Sequence, residues 1–250
     1  MKALRFTTLG QGPRLVLLPG WAMHSRVWGK LVDCLATDFR LTLVDPPGHG
    51  LSPPWPKWTL TGTAQALADL LAEPALWLGW SLGGQVVLEL ALRFPAQVLG
   101  LVLVATNPRF IADHSWPGMA LEVFESFAQE VDRDVQVAIQ RFLTLCCLGA
   151  KVHSRQLKKA LERFPLPAPR VLKQGLEILR STDLCPKLAE ITRPCLVVGG
   201  REDRLVPVAA IGQLAGSLPQ AQLVILEGAG HVPFLTHPQE VAALVREFLF

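Results

Sequence analysis

The pentapeptide Gly79-Trp80-Ser81-Leu82-Gly83 is the feature that most restricts how this chain can fold. It follows the apolar run 75–78 and precedes residues 84–92, which have the composition of a helix. This order predicts a strand, a tight turn and a helix, with the serine held in a strained backbone conformation at the top of a sheet. The glycines remove Cβ atoms where strand and helix approach each other. The hydroxyl of Ser81 would then project into a pocket beside the positive end of a helix, which indicates a nucleophile.

Short apolar runs alternate with amphipathic stretches along most of the chain. Buried strands are predicted at residues 15–18, 41–44, 76–78, 98–105, 195–199 and 222–226. Helices are predicted at 26–35, at 59–71 with Thr59 or Thr61 as the N-cap, and at 238–248. Continuous apolar strands with crossover helices predict an α/β fold, a mostly parallel sheet with helices on both faces.

The alternation stops between residues 108 and 190, where the pattern is helical and rich in charge. We therefore predict a core formed by residues 1–107 and 191–250, interrupted by a helical cap at 108–190. The insert lies between two core strands, so we expect it over their carboxyl ends. Ligands of open α/β sheets bind at that edge.

A nucleophilic serine needs a base, and the base needs an acid to orient it. Asp203 and His231 each lie in a loop directly after a predicted strand, as Ser81 does. Their order, serine then acid then histidine, is the one that this kind of sheet requires. Glu202 is an alternative acid. The other histidines lack this placement; they are His24, His49, His114, His153 and His237.

The reaction also needs donors for the oxyanion. We expect the backbone N–H of Leu82, directly after the nucleophile, and that of Trp21, in the loop that follows the first buried strand. Trp80, Leu82 and Phe142 are candidates for lining an apolar acyl channel, although Phe142 is equally consistent with an ordinary core position. These groups complete the chemistry, so no metal or cofactor is expected.

Composition restricts the remaining possibilities. Half of the 250 residues are apolar and the net charge of +3 is too small to require a nucleic-acid partner. The five cysteines are odd in number and lack metal-type spacing, which favours reduced thiols. The first residues lack a signal-peptide apolar region, and no apolar stretch is long enough to span a bilayer. We therefore expect a soluble cytoplasmic protein. We also expect it to be a monomer.

Over nearly its whole length the chain resembles the α/β-hydrolases, and among them the pimeloyl-[acyl-carrier protein] methyl ester esterases of biotin synthesis. The matching segments are 17–21, 43–48, 77–84, 141–143 and 175–179. The resemblance implies a methyl esterase that unmasks the pimeloyl carboxylate while the chain is carried on acyl-carrier protein. By position, the resemblance implies that Ser81, Asp203 and His231 form the catalytic triad. It also implies that Trp21 and Leu82 are the oxyanion donors. The family's early loop usually reads His-Gly-Trp, where this chain has Pro19-Gly20-Trp21.

Basic residues are concentrated between Arg141 and Lys173, where eight occur with a single acid, Glu162. Charge runs are usually solvated helix faces. A basic rim over the active site would also attract the acidic carrier protein that the resemblance implies. The residues expected to dock it are Arg141, Lys151, Arg155, Lys158 and Lys159. Nucleic acid is a less favoured partner, because few aromatic residues lie among these basic residues.

Other functions on the same scaffold stay open. A generalist esterase, a thioesterase or a C–C bond hydrolase could use this triad, and a ligand receptor could retain it. An aspartate nucleophile would have indicated a dehalogenase, and Ser81 argues against that class.

Overall fold

A seven-stranded sheet lies at the centre of the computed structural model, which describes residues 3–71, 73–150, 154–162 and 164–249. The strands are β1 (Arg5–Leu9), β2 (Arg14–Leu18), β3 (Arg40–Asp45), β4 (Ala75–Trp80), β5 (Val98–Val104), β6 (Cys195–Gly200) and β7 (Ala221–Leu226). Their order in the sheet is β1-β3-β2-β4-β5-β6-β7, and every neighbouring pair is parallel except β1 with β3.

Strand β1 is absent from the sequence prediction. Four of its five residues are exposed, so it has no apolar run. It pairs along β3 from Arg5 opposite Asp45 to Leu9 opposite Leu41. Backbone N–H and C=O groups form the hydrogen bonds between the two strands, so the side-chain pattern of β1 does not reveal this pairing.

Helices cover the sheet. They are α1 (Lys30–Leu35), α2 (Leu60–Leu70), α3 (Leu82–Arg93), α4 (Leu121–Arg133), α5 (Val135–Cys147), α6 (Ser154–Leu161), α7 (Pro169–Ser181), α8 (Val208–Ser217), α9 (Pro233–Thr236) and α10 (Pro238–Leu249). Short 3₁₀ helices occupy Ser25–Trp28, Pro95–Gln97 and Cys185–Glu190.

Two predicted helices differ from the observed ones in detail. The helix predicted at 26–35 is divided at Gly29, whose φ of 48° ends the 3₁₀ helix before α1 begins. The helix predicted at 59–71 is α2, and its N-cap is Thr59, whose side chain accepts a hydrogen bond from the N–H of Gly62. A cap of this kind satisfies one of the free N–H groups in the first turn of a helix.

Strand β4 lies in the middle of the sheet, and all six of its residues are buried. The continuous apolar pattern is what a strand covered on both faces requires, because each side chain meets a helix. Helix α3 packs back on β4 and β5, so the turn between β4 and α3 is held at the carboxyl edge of the sheet.

The chain leaves the sheet after β5 and returns at β6. Between them lie the inserted helices, α4 to α7, with α4 packed against both α5 and α7. In the described part of residues 108–190 there is one isolated bridge, between Ile111 and Met119, and no strand. Among the helices of the described ranges, none is both long and apolar enough to cross a membrane.

Candidate active site

Ser81 lies between the last residue of β4 and the first residue of α3. Its φ of 54° and ψ of −116° place it in a conformation that non-glycine residues rarely adopt, at a cost of about 1–3 kcal/mol. Its N–H donates to the carbonyl of Val104, 3.0 Å away. A Cβ on Gly79 would lie 2.5 Å from the carbonyl oxygen of Gly83, so this sharp turn depends on glycine. The predicted strand–turn–helix arrangement around the serine is observed.

His231 and Asp203 meet in the loops that follow β7 and β6. Nδ1 of His231 lies 2.8 Å from Oδ2 of Asp203, and both side chains are 1% exposed. Oδ1 of Asp203 accepts the backbone N–H groups of Leu205 and Val206 at 2.8 and 2.9 Å. These bonds fix the orientation of the carboxylate, which leaves its other oxygen for the imidazole. The ring of His231 therefore pairs with Asp203 and not with the alternative acid Glu202.

The loop of His231 is held from two sides. Its backbone N–H donates to the carbonyl of Cys146, the penultimate residue of α5, at 3.2 Å. Its carbonyl accepts the indole N–H of Trp80 at 2.8 Å, and the two rings lie 5.5 Å apart. Trp80 is fully buried and is absent from the described residues that line the cavity beside Ser81. Its side chain packs against the loop of His231, and its expected contact with substrate stays a prediction.

The two expected oxyanion donors flank the serine. Leu82 is the first residue of α3, where backbone N–H groups have no acceptor within the helix. Trp21 lies in a turn closed by a 3.2 Å hydrogen bond from the N–H of Met23 to the carbonyl of Gly20. A Cβ on Gly20 would lie 3.2 Å from the Cβ of Ser81, so the backbone of this turn passes close to Ser81.

A cavity opens beside Ser81 and His231. Its walls are mostly apolar and come from the early loop and the inserted helices: Trp21, Phe124, Phe127, Phe142, Leu176 and Leu179. Phe142 on α5 is among these lining residues, and its ring lies edge-on to that of Trp21 at 5.0 Å. Leu82 borders a smaller space that Pro19 and Gly20 also line, and its expected place in the acyl channel stays a prediction.

The sequence analysis did not identify Phe127, Leu176 and Leu179 as lining residues. They lie on α4 and α7, which carry apolar residues along one face. The sequence shows the apolar face of each helix, but it does not show what that face contacts. An amphipathic helix can pack on a sheet or line a cavity equally well.

Arg141 is the charged residue in the described lining of this cavity, and it also borders an open groove outside it. Its guanidinium lies 3.1 Å from a carboxylate oxygen of Glu130 on α4. Lys173 on α7 likewise pairs with Asp132. Acids of α4, which precede the basic segment in the chain, therefore neutralise part of the charge excess that the sequence count suggested.

Three other expected docking residues form one exposed group on α6. Arg155, Lys158 and Lys159 all face solvent, and no described carboxylate forms an ion pair with them. Lys151 lies outside the described residues.

Apart from the backbone carbonyl of Cys146, which accepts the N–H of His231, the cysteines form no described hydrogen bond with Ser81, Asp203 or His231. All five are free thiols: Cys34, Cys146, Cys147, Cys185 and Cys195. Burial raises the pKa of Cys146 well above its ordinary value and that of Cys147 to about 11, so neither is a ready nucleophile at neutral pH. In the described ranges no group of three or more histidine, cysteine, aspartate or glutamate residues could hold a metal ion.

Comparison with known proteins agrees with this geometry. The model of the alpha/beta hydrolase fold family matches residues 13–238, so the chain belongs to the α/β-hydrolases and the predicted fold is confirmed. A pimeloyl-[acyl-carrier protein] methyl ester esterase of Xanthomonas oryzae pv. oryzae is 41% identical over 98% of each chain. One of Yersinia pseudotuberculosis is 40% identical over 99% of this chain and 98% of the relative. Within the α/β-hydrolases, the chain belongs to this family of carboxylic ester hydrolases.

Solved structures show the same fold. An esterase from Exiguobacterium antarcticum matches with a TM-score of 0.91 at 21% identity, with full coverage of both chains. A hydrolase from Pseudomonas aeruginosa PA01 matches with a TM-score of 0.83 at 28% identity, over 98% of this chain and 94% of that one.

Proposed function

We propose that this protein hydrolyses the methyl ester of pimeloyl-[acyl-carrier protein], as a monomer in the cytoplasm and without a cofactor. The observation that carries the proposal is that His231, hydrogen-bonded to Asp203, lines the same apolar cavity as the strained Ser81. Relatives at about 40% identity bear the name of this activity and support the choice of substrate.

The geometry suits an acyl-enzyme mechanism. Asp203 accepts the Nδ1–H of His231, which leaves Nε2 free to take the proton from the hydroxyl of Ser81. The serine oxygen attacks the ester carbonyl, and the N–H groups of Trp21 and Leu82 stabilise the oxyanion. The C–O bond to the methoxy group breaks, and His231 gives its proton to that oxygen, which leaves as methanol. His231 next takes a proton from a water molecule, whose oxygen attacks the acyl-serine carbonyl. His231 returns this proton to Oγ of Ser81 as the C–Oγ bond breaks, which releases the pimeloyl carboxyl group and the free serine.

The cavity suits a long methylene chain better than a polar substrate. Aromatic and leucine side chains from α4, α5 and α7 line it, and Arg141 stands on the side that continues into an open groove. We infer that residues 108–190 act as a cap over a core of residues 1–107 and 191–250. The acyl chain would extend from Ser81 beneath this cap while the carrier stays outside.

Charges on the outer surface support docking of an acidic carrier. We name Arg141, Arg155, Lys158 and Lys159 the basic rim, with Lys151 as an expected further member. Gln136 and Gln140 of α5 border both the groove that contains Arg141 and the neighbouring groove that contains Lys158. The rim is therefore continuous from the cavity to α6. Such a surface would raise the association rate with an acidic protein.

The decisive experiment supplies purified protein with methyl-pimeloyl-[acyl-carrier protein] and follows the carrier by mass spectrometry. We expect loss of the methyl group with the thioester intact, and no reaction with the Ser81→Ala variant. Cleavage at the thioester instead would identify a thioesterase. Absence of any turnover would favour a ligand receptor. Complementation of a strain that requires this ester cleavage to make biotin would test the same activity in cells.

A further inference from the structure

We infer that Gly175 of α7 is a positioning residue for the oxyanion hole, because its missing side chain lets α7 pack directly on the indole of Trp21. This inference rests on the proposed role of the Trp21 N–H. The inference gives α7, which lines the cavity, a second role in positioning the Trp21 N–H.

The contact between α7 and Trp21 leaves no space for a methyl group. A Cβ on Gly175 would lie 2.7 Å from Cδ1 of Trp21 and 2.9 Å from Cζ3 of Trp58. Both rings are rigid and buried, so neither can move aside without disturbing its surroundings. Glycine inside a helix costs about 1 kcal/mol relative to alanine, and this close approach accounts for its presence.

A hydrogen bond one turn earlier in α7 fixes the orientation of the same ring. The indole N–H of Trp21 donates to the carbonyl of Leu172 at 2.9 Å. Phe142 and Phe127 also meet the ring edge-on, with centroid distances of 5.0 and 5.5 Å. The indole is thus enclosed by α4, α5 and α7, and its position follows theirs.

The backbone of the early loop needs such support. Ala22 has a φ of 60°, a left-handed conformation that is unfavourable for a residue with a Cβ. Strained residues of this kind persist when the surrounding structure over-determines them. Here α7 supplies the restraint through the neighbouring Trp21, whose backbone N–H points to the oxyanion in the proposed mechanism. A displaced indole would shift that donor.

The test uses Gly175→Ala with hydrolysis of p-nitrophenyl butyrate, a small ester that needs no carrier. We expect kcat to fall between about tenfold and a hundredfold, as for a catalytic group displaced by about 1 Å, with KM changed less than about twofold. Affinity for a trifluoromethyl ketone, whose adduct with Ser81 carries an oxyanion, should fall in parallel with kcat. The matched control is Gly212→Ala in α8, where a Cβ would meet nothing within 4 Å.

A double-mutant cycle with Trp21→Ala separates positioning from general damage to the fold. Without the indole, the 2.7 Å contact with Cδ1 of Trp21 is removed and only the contact with Trp58 remains. If Gly175→Ala acts through Trp21, it should then cost less than about twofold in kcat in that background. An unchanged kcat in Gly175→Ala, or the same loss in both backgrounds, would overturn the inference. If Gly175→Ala does not fold, Trp21→Phe alone should lower kcat and leave KM unchanged. Because the ester is carrier-free, these results stand whether or not the pimeloyl carrier is the substrate.

Discussion

The indole N–H of Trp80 and the backbone carbonyl of His231 lie 2.8 Å apart, which links the residue before Ser81, the proposed nucleophile, to the loop of the proposed base. The two residues are 151 positions apart in the chain. Since Trp80 ends β4 and Ser81 follows it directly, one rigid strand end sets the position of both the serine and the histidine. The distance between nucleophile and base is therefore controlled from beneath the site.

Replacing Trp80 by phenylalanine removes this hydrogen bond. We expect kcat to fall about two- to tenfold, the kinetic equivalent of roughly 0.5–1.4 kcal/mol, while KM is unchanged. Trp77→Phe is the matched control, because Trp77 is a fully buried indole of the same strand that donates to Gln97, 3.2 Å away. Both variants should lose stability in denaturant titrations. Equal kcat values for the two would show that Trp80 is core packing alone.

Ser81→Ala and His231→Ala should each lower kcat by about 10³-fold or more with the fold intact. Proton transfer and attack are coupled, so the double variant should be little worse than either single one. Steady-state kinetics on a p-nitrophenyl ester, with circular dichroism as the check on folding, measures this. Additive losses would show that the two residues do not act as a unit.

Asp203→Asn should reduce turnover strongly, because the amide donates to Nδ1 and leaves His231 in the wrong tautomer. The amide oxygen can still accept the N–H groups of Leu205 and Val206, so the loop should keep its shape. Glu202→Gln, one residue earlier, should have a mild effect. Comparison of kcat for these two variants checks the choice of acid, and the reverse order would make Glu202 the partner.

Buried His49 should make the protein sensitive to acid. Desolvation is the main cause that lowers its pKa, from 6.5 to about 4, and the charge of His24 lowers it further. A hydrogen bond with the carbonyl of Pro47 and the negative charge of Asp45 raise the pKa, but by less. The unfolded chain then binds a proton that the native state does not. Stability is full above pH 6.5 and is lost as the pH falls towards 4, by about 3 kcal/mol in total and about 2 kcal/mol by pH 5.

His49→Phe should remove this part of the pH dependence, since phenylalanine keeps the edge contact with Trp58 and cannot be protonated. Urea titrations at pH 7, 6 and 5 measure the unfolding free energy of the variant and of the parent. The exposed His114 provides the control, and His114→Gln should leave the slope as it is. A slope unchanged in His49→Phe would assign the acid sensitivity to other groups.

Charge reversal on α6 should affect the carrier-bound ester selectively. We expect Arg155→Glu with Lys159→Glu to raise KM for methyl-pimeloyl-[acyl-carrier protein] severalfold, an effect that fades as salt shortens the Debye length, about 8 Å at physiological ionic strength. Hydrolysis of a small neutral ester should barely change. Arg93→Glu with Arg193→Glu is the control, because Arg93 ends α3 and Arg193 precedes β6, at the opposite edge of the sheet.

Arg141→Glu is measured separately, since Arg141 lines the cavity and could alter both reactions. Equal losses of kcat/KM on the two substrates by the α6 variant would mean that these residues hold the inserted helices in place. In that case the docking proposal fails.

Several features of the site could be predicted from the sequence alone. Ser81, Asp203 and His231 each follow an apolar run that forms a parallel strand, namely β4, β6 and β7. Parallel strands place their carboxyl ends along one edge, so local patterns together with this general property were enough to bring the three residues to the same region. The strand–turn–helix around Ser81 depends on glycines at neighbouring positions, and that information is also local.

Contacts between residues far apart in the chain were decided by the tertiary structure. Trp80 packs beneath His231, and Trp21 bonds to Leu172, each across 151 positions. The charge of Arg141 is balanced by Glu130 on the neighbouring helix α4, outside the segment where basic residues cluster. An indole or a guanidinium has the same composition and local pattern whichever partner it meets. The packing of the helices against one another selects that partner, and this selection determines whether a side chain binds substrate or positions a catalytic group.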